Sequence, residues 1–273
     1  MKQLTLDGVV SQLSDGMTIG IGGWGSRRKP MALLSAVVRS GVRDLTVVSF
    51  GGPDVGVLCA TGQATKVVHA FVSLDTIAVD PHFAAAREQQ RVDTEELDEA
   101  MLVAGLRAAG RNLPFEATRA GLDSDAVTRN PRLRTITSPY DDGDVLLAMP
   151  AIHLDLALLH LHRADARGNA QLLGLSPYFD DLLARAAKRV IVSAEEIVPT
   201  AELTRDKPVQ SLLLNRTEVT YVVEAPGGAG FTSCEPSYPR DEARQRDYVA
   251  AATSPEAFNT WQRTNWHEAG ARS

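Results

Sequence analysis

Residues 17–30 read MTIGIGGWGSRRKP and decide the fold, because they place a strand, a glycine turn and a helix start in immediate succession. The β-branched run over residues 17–21 favours a strand, and the glycines that follow it end the run. Pro30 then opens a helical pattern, in a first-turn position where its missing N–H removes no hydrogen bond. The apolar residues Leu33, Leu34 and Val37 recur at helical spacing. This stretch therefore predicts a strand–turn–helix unit.

The same alternation continues along the chain. Strand-like runs occupy residues 45–50, 66–72, 145–148, 156–161, 189–193 and 219–223, and helix-like patterns occupy residues 81–89, 98–109, 177–187 and the segment from Asp241 onward. Continuous apolar strands are typical of a sheet covered on both faces, and their alternation with helices favours parallel pairing. We therefore predict an α/β fold with a mostly parallel sheet, helices on both faces and a helical C-terminal tail, in a single domain over residues 1–273.

Composition and charge narrow the functional classes. Of the 273 residues, 44% are apolar and 23% are charged, which are ordinary values for a folded chain. The 28 basic and 34 acidic residues give a formal net charge of −6, and no basic block stands out, so we expect no nucleic acid or membrane as partner. Cys59 and Cys234 lie far apart and no signal-peptide pattern opens the chain, so we expect a reduced, cytoplasmic protein.

The glycine turn has the composition of an anion site. Glycines let a backbone approach a ligand closely, and the following helix start offers free N–H groups and the positive end of its dipole. Three cations stand beside them, so a phosphate, a carboxylate or a thioester oxyanion would suit the turn. The alternative is a tight turn with a solvated basic end. The candidate binding residues are Gly22, Gly23, Trp24, Gly25, Ser26, Arg27, Arg28 and Lys29.

If the sheet is parallel, two more turns lie at the same edge of the sheet as the glycine turn. Gly52 lies in a second glycine turn after the second strand, and Ser73 follows the third strand. In open α/β sheets ligands lie beyond the carboxyl ends of the strands, so both residues join the candidate set. An ordinary turn explains the glycines equally well, and no histidine at motif spacing supports Ser73 as a nucleophile.

An acidic run and a histidine pair complete the candidates. Residues 95–99 read EELDE before an apolar helical pattern, and acids are favoured in a first helical turn, so a solvated helix start is the ordinary explanation. The alternative is that one carboxylate points inward as a general base. His160 and His162 share one face of a strand, but no cysteine or carboxylate stands at matching spacing, so we predict no metal site. Asp165, Gly168 and Asn169 instead predict a turn after that strand.

The motifs, taken in order, resemble those of a known family. They are Asp15-Gly16 leading to Gly22-Gly23-Trp24; His160 through Ala164-Asp165 to Gly168-Asn169-Ala170; residues 187–192 with residues 195–198; and Glu224-Ala225-Pro226-Gly227-Gly228-Ala229. The chain is similar in these segments, which span most of its length, to the α subunits of family I CoA-transferases, of the glutaconate and 3-oxoacid kind. It departs from that pattern in having Trp24 where a phenylalanine is usual and Gly230 where a histidine is usual. The loop is also more cationic.

Four segments resemble those of a narrower group, the α subunits of actinobacterial hydrolases that open the last carbocycle of cholesterol as a CoA thioester. They are residues 23–31, residues 72–75, Asp98-Glu99 and residues 178–181. The resemblance implies that Glu99 is the catalytic base for water, in a pocket shared with a second subunit. It implies a β subunit as partner, in a heterodimer or heterotetramer, and an acyl-CoA substrate that brings coenzyme A with it, without a tightly bound cofactor.

The charge and the position of the loop also indicate roles for its residues. Backbone N–H groups around Gly22–Ser26 would polarise an oxyanion, and Arg27, Arg28 or Lys29 would hold a substrate carboxylate. Two alternatives stay open: an ordinary CoA-transferase, whose nucleophilic glutamate belongs to the β subunit, and a non-enzymatic ligand-binding sensor or scaffold on the same fold.

Overall fold

A long parallel sheet runs through the computed structural model, which describes residues 2–140 and 142–266. The strands in that part of the chain are β1 (Gln3–Leu4), β2 (Thr18–Ile21), β3 (Leu45–Gly51), β4 (Ala64–Val72), β5 (Asp93–Glu96), β6 (Phe115–Thr118), β7 (Arg134–Thr137), β8 (Val145–Pro150), β9 (Leu156–Ala164), β10 (Ala170–Gln171), β11 (Val190–Ile197), β12 (Leu212–Leu214) and β13 (Tyr221–Glu224). The helices are α1 (Leu6–Val10), α2 (Met31–Ser40), α3 (Pro53–Ala60), α4 (Pro81–Glu88), α5 (Glu99–Gly110), α6 (Asp125–Arg129), α7 (Asp180–Ala186), α8 (Glu242–Ala250) and α9 (Pro255–Trp266).

The strand order confirms the mostly parallel sheet. It runs β1-β13-β11-β9-β2-β3-β4-β5, and every neighbouring pair on this path is parallel. The short β10 and β12 extend it in antiparallel fashion beside β9. Because β2, β3 and β4 are parallel neighbours, the loops that follow them meet at one edge of the sheet.

Helices cover both faces, as the continuous apolar strands predict. Val47 and Val48 are adjacent in β3 and point into two different hydrophobic clusters, because successive side chains of a strand alternate between the faces. One cluster contains side chains of α2, α3, α4, α8 and α9, and the other contains side chains of α5 and α7. The sheet is therefore buried on both sides.

The helical C-terminal segment is confirmed as far as Trp266. It is fastened to the sheet layer by Asp80, whose carboxylate caps α4 and accepts a hydrogen bond of 2.7 Å from the Tyr248 hydroxyl. Residues 267–273 lie outside the described residues, so the single domain over residues 1–273 stays a prediction. None of the helices in the described part of the chain has the length and apolar character needed to cross a membrane.

The turn predicted after the histidine-containing strand is present. Asp165 Oδ1 accepts hydrogen bonds from the N–H groups of Arg167 and Asn169, each at 2.9 Å, and Gly168 has a φ of +103°. The positive φ explains why glycine occupies that position.

Two expectations were wrong in detail, and one helix was not predicted. The run at residues 145–148 belongs to β8, which lies between β6 and β7 in a separate antiparallel sheet rather than in the main sheet. The acidic residues Glu95 and Glu96 lie in β5, at the edge of the main sheet, where charged side chains are tolerated because one side of the strand is unpaired. The glycine turn containing Gly52 leads into α3, a helix that begins with Pro53 and was not predicted.

Candidate active site

The glycine turn after β2 folds into a tight reverse turn between Trp24 and Arg27. Their backbones exchange two hydrogen bonds: the Trp24 N–H donates to the Arg27 carbonyl at 3.0 Å, and the Arg27 N–H donates to the Trp24 carbonyl at 3.1 Å. Gly25 has a φ of +56°, a conformation that this kind of two-residue turn requires at its first central position. The turn places the side chains of Trp24 and Arg27 side by side at the carboxyl edge of the sheet.

Glu99 reaches this turn from the start of α5. The preceding residue, Asp98, caps the helix by accepting a 2.7 Å hydrogen bond from the Met101 N–H, which fixes Glu99 as the first helical residue. The Trp24 indole Nε1–H donates to Glu99 Oε1 at 2.5 Å. Glu99 is exposed in this single chain. Its carboxylate is thus open to solvent, yet joined to the glycine loop.

Trp24 is held by two further contacts. The Phe71 ring, from the end of β4, packs edge-on against the indole with ring centroids 4.8 Å apart. The Arg27 guanidinium carbon lies 4.9 Å from the centroid on the indole face, within the range of a cation–π contact.

Two adjoining clefts meet at this cluster. Trp24, Arg27 and Glu99 line both of them. One cleft has a volume of about 460 Å³ and is completed by Phe71, Ser73 and Asp75, and the other has a volume of about 420 Å³ and is completed by residues 176–179. Each is large enough for part of a small-molecule ligand. The glycine loop, the end of β4 and the start of α5 therefore converge on one open site.

Arg28 does not line the site, which corrects the expectation that it holds a ligand. Its side chain is 3% exposed and forms a 2.5 Å ion pair with the fully buried Asp180. Its guanidinium also donates to the carbonyls of His160, Ser176 and Pro177. Burial raises the pKa of Asp180, and the nearby Arg28 opposes that rise. Arg28 thus serves the fold by holding residues 176–180, which form a wall of the second cleft.

Lys29 is likewise removed from the ligand set. Its ammonium group is completely buried, where it donates to Ser49 Oγ and the Phe50 carbonyl, each at 2.9 Å, and pairs with Asp54 at 3.2 Å. Burial lowers the pKa of Lys29, and the Asp54 carboxylate opposes the decrease. Of the three loop cations, Arg27 alone keeps substantial exposure, with 43% of its side chain accessible.

The loop amides are also used within the protein. The N–H groups of Gly22, Gly23 and Gly25 donate to Leu158 O, Asp180 Oδ1 and Phe50 O at 2.9, 2.9 and 3.1 Å. The expectation that these three amides polarise a ligand oxygen is therefore wrong, because each already donates to an acceptor within the protein. The Ser26 side chain is equally committed, because it is fully buried and its hydroxyl donates to Gln245 Oε1 at 2.5 Å.

Close packing, not ligand contact, explains the glycines. A Cβ on Gly22 would lie 2.6 Å from Asp180 Oδ1, and one on Gly23 would lie 2.4 Å from the Arg27 carbonyl. A Cβ on Gly52 would lie 1.8 Å from the Gly25 carbonyl oxygen. The two glycine turns pack directly on each other, and this contact fixes the position of Trp24.

Ser73 and Asp75 form the far wall of the first cleft. The Ser73 hydroxyl donates to the Ile77 carbonyl at 3.2 Å and accepts from the Asp75 N–H at 3.0 Å, so it shapes a turn. Asp75 has a φ of +64°, and its Oδ2 accepts hydrogen bonds from Arg27 Nε at 2.9 Å and Arg240 Nη1 at 2.7 Å. The pairing of Asp75 with Arg240 was not predicted, because Arg240 lies far along the chain and only the fold brings the two together.

Tyr178 and Phe179 form the wall of the second cleft, in an unusual backbone conformation. Their φ angles are +48° and +63°, although neither is glycine. Phe179 packs on Phe50 with ring centroids 4.6 Å apart, and both Tyr178 and Phe179 line the cleft. Non-glycine residues with positive φ cluster at functional sites, and this signal is invisible in the sequence.

His160 lies in a buried network that sequence spacing did not reveal. Its Nδ1 lies 2.9 Å from Ser193 Oγ and its Nε2 lies 2.7 Å from Glu195 Oε1. Glu195 also accepts from the Tyr238 hydroxyl at 2.6 Å and the Gly227 N–H at 2.7 Å. Burial favours a higher pKa of Glu195, but these hydrogen bonds outweigh it and lower that pKa.

The same network contains a set of metal-type donors. Single ligand atoms of His160, Glu195 and Cys234 all lie within 4.8 Å of one another. Both imidazole nitrogens and both carboxylate oxygens already have hydrogen-bond partners within the protein. These hydrogen bonds explain the network as a structural link between β9, β11 and the turn after β13.

Comparison with known proteins identifies the class. A family model described as "Coenzyme A transferase" matches residues 4–225. The chain belongs to the coenzyme A transferase family.

Particular relatives narrow the comparison. The protein named cholesterol ring-cleaving hydrolase IpdA subunit, from Rhodococcus jostii (strain RHA1), is 52% identical over 270 residues, which cover 96% of this chain and 91% of the relative. The solved structure of glutaconate coenzyme A-transferase from Acidaminococcus fermentans matches with a TM-score of 0.89 at 23% identity, covering 98% of this chain and 89% of the other, and shows the fold alone. A structure of a variant of the decarboxylase AibA/AibB matches with a TM-score of 0.84 at 31% identity, covering 97% of this chain and 98% of the other.

Proposed function

We propose that this chain is the α subunit of a heteromeric enzyme that opens a carbocyclic ring of a CoA thioester by hydrolysis, in steroid (cholesterol) catabolism. The 52% identity to a ring-cleaving hydrolase subunit over nearly the full length of both chains supports the reaction class. The observation that carries the mechanism is the position of Glu99, whose carboxylate borders both clefts and contacts Trp24.

In the proposed reaction, Glu99 takes a proton from water as the water oxygen attacks a ring ketone. The tetrahedral intermediate then breaks the bond between the ketone carbon and the neighbouring carbon α to the thioester. The ketone carbon becomes a carboxylic acid, and the electron pair of the broken bond is delocalised into the thioester carbonyl. Glu99 returns its proton to that carbanion, so one water is consumed and the base is regenerated.

Arg27 is the cation we assign to a substrate carboxylate. It borders both clefts, and a guanidinium binds carboxylates with directed hydrogen bonds. Arg28 and Lys29 are buried in ion pairs and are left out of this role.

A β subunit completes the proposed site. Glu99 is exposed and Arg27 is partly exposed in this chain, and a base of this kind gains strength when water is excluded around it. Coenzyme A enters as part of the acyl-CoA substrate in this proposal, with no tightly bound cofactor. The two free cysteines agree with the proposed cytoplasmic location.

The test is Glu99→Gln in the assembled α–β enzyme, with a cyclic β-keto acyl-CoA as substrate. The amide keeps the shape of the side chain but cannot accept a proton, so we expect ring opening to fall by at least a hundredfold. Glu96→Gln is the matched control, because it makes the same change at an exposed acid of β5. Full activity of Glu99→Gln would overturn the base assignment.

A CoA-transferase is the second candidate, because the family model describes that activity. The two reactions differ in their products. Incubation of the acyl-CoA with acetate or succinate yields a new thioester only if the enzyme transfers CoA, whereas hydrolysis adds one water to the acyl group and leaves the thioester in place.

A further inference from the structure

A continuous series of contacts connects Glu99 with a charged pair on the far wall of the first cleft. Glu99 Oε1 accepts from the Trp24 indole at 2.5 Å, and the Arg27 guanidinium carbon lies 4.9 Å from the centroid of the Trp24 ring. Asp75 Oδ2 accepts from Arg27 Nε at 2.9 Å and from Arg240 Nη1 at 2.7 Å. The exposed carboxylate at one end is thereby linked to a largely buried carboxylate at the other.

The two ends differ in how firmly they are held. Glu99 is exposed on the first turn of α5, and the Trp24 N–H is the one side-chain donor to its carboxylate among the described residues. Asp75 is 10% exposed and is bound on three sides, by two arginines and by the Ser73 hydroxyl at its N–H. A long side chain that is free to rotate loses entropy when it is fixed for reaction, so the Trp24 contact decides where the carboxylate points.

We propose that Trp24 and Asp75 are positioning residues for the carboxylate of Glu99. The Trp24 indole occupies Oε1 and leaves Oε2 for the proton of water. Asp75 acts one step further away, because it holds Arg27 against the face of the Trp24 ring and so keeps the indole N–H aimed at Glu99. The inference rests on the proposed role of Glu99 and replaces the expected role of Trp24 as a direct contact of the substrate.

The first test is Trp24→Phe in the assembled enzyme, assayed with a cyclic β-keto acyl-CoA. Phenylalanine keeps an aromatic ring for Phe71 and Arg27 but removes the indole N–H. We expect kcat to fall tenfold or more while KM stays within twofold, because the carboxylate is misplaced and the clefts are intact. A kcat within twofold of the unmodified enzyme, or a raised KM with unchanged kcat, would overturn the proposal.

Trp261→Phe is the matched control. The Trp261 indole is buried in the C-terminal aromatic cluster, and its Nε1 has no hydrogen-bond partner in the part of the chain that the structure describes. The same chemical change there removes an N–H that bonds to none of the described residues, so kcat and KM are expected to be those of the unmodified enzyme.

The second test is Asp75→Asn, which changes no volume. Asparagine adopts positive φ more readily than other non-glycine residues, so the strained turn at position 75 is preserved while the charge is lost. We expect kcat to fall at least threefold, and KM to rise as well, because Arg27, the cation assigned to the substrate carboxylate, loses the same partner. Glu218→Gln, which removes the charge of a largely buried partner of Arg185 outside the clefts, is the control and should leave both constants unchanged.

The double variant Trp24→Phe with Asp75→Asn separates positioning from general loss of structure. If Asp75 acts through Trp24, its loss costs nothing further once the indole N–H is gone, and the double variant has the kcat of Trp24→Phe. If the two losses in kcat multiply in the double variant, Asp75 does not act through Trp24 and the proposal is overturned.

Glu99→Gln in the same assay separates failure of this inference from failure of the proposed function. If Glu99→Gln is inactive and Trp24→Phe is fully active, the positioning role is wrong and the base stands. If Glu99→Gln is fully active, the base and the positioning role are both wrong.

Discussion

Gly52 faces the carbonyl oxygen of Gly25 so closely that a Cβ added to Gly52 would lie 1.8 Å from that oxygen. The same Cβ would lie 2.6 Å from the Gly25 carbonyl carbon and 3.3 Å from the Lys29 side chain. The neighbours are mostly backbone, which cannot rotate away as a side chain does. The two glycine turns at the carboxyl edge are thus packed as one unit, and the turn that carries Trp24 and Arg27 depends on it.

We expect Gly52→Ala to destabilise the chain by about 2 kcal/mol or more, because the loops have to separate to admit the methyl group. The free energy of unfolding in urea measures this. Gly8→Ala is the control, since it lies within α1 next to a movable Leu4 side chain, and alanine is the better helix former there. A Gly52→Ala chain as stable as the original would contradict the close packing.

Arg28→Met should destabilise the chain by about 3–5 kcal/mol, because it leaves the carboxylate of Asp180 buried without its cation. Asp180→Asn should cost less, since Arg28 keeps three carbonyl acceptors. The measurement is again the free energy of unfolding. Arg129→Met removes an exposed pair with Asp125 and should change it by less than about 1 kcal/mol. Equal effects of Arg28→Met and Arg129→Met would show that the buried pair has no structural role.

The Arg28–Asp180 pair also marks the limit of sequence reasoning at this site. The strand, the turn and the helix around residues 17–30 follow from β-branched residues, glycines and a proline, all of which act locally. Whether a cation in that turn faces a ligand or the interior depends on its partner, and Asp180 lies 152 positions away. The sequence predicts the same ligand-binding role for all three cations of the loop. In the folded chain Arg27 is partly exposed, whereas Arg28 and Lys29 are buried in ion pairs.

The acidic run shows the same division between local and distant effects. An acid in a first helical turn is predictable, and Glu99 is the first residue of α5. Glu95 and Glu96 lie in an edge strand, because β5 pairs with β4 along the sheet, and no local rule favours a strand for them. No local pattern predicts a general base at Glu99, since only the family resemblance implies it, and the hydrogen bond from Trp24 to Glu99 joins residues 75 positions apart.

Both cysteines should resist thiol reagents in the folded chain. Cys59 is 2% exposed and Cys234 is fully buried, and burial raises the pKa of each thiol to about 12. The reactive thiolate is therefore scarce as well as shielded at pH ~8. We expect labelling by a chromogenic disulfide to follow the unfolded fraction as urea is raised. Rapid labelling of either thiol without urea would contradict the burial, and Cys59→Ser would identify which one reacts.

Asp80 should make the chain less stable as the pH rises towards neutrality. Burial raises the pKa of Asp80 from 3.8 to about 7, although hydrogen bonds from the Tyr248 hydroxyl and from the N–H groups of Phe83 and His82 oppose the rise. Between these two values the folded chain keeps a proton that the unfolded chain releases. The stabilisation is therefore complete below pH ~4 and is lost as the pH passes through ~7.

Asp80→Asn tests the sign directly, because an amide still caps α4 but cannot titrate. The difference in unfolding free energy between the original chain and Asp80→Asn should favour the original chain more at pH ~5 than at pH ~7, and should shrink by roughly 1.4 kcal/mol per pH unit at most between these values. Asp155→Asn is the control, since the Lys188 hydrogen bond lowers the pKa of Asp155 and its contribution is lost only as the pH falls. Its curve should run parallel to that of the original chain above pH ~5. If the Asp80→Asn curve runs parallel as well, Asp80 is ionised throughout this range and the buried carboxylate is stabilised by its hydrogen bonds alone.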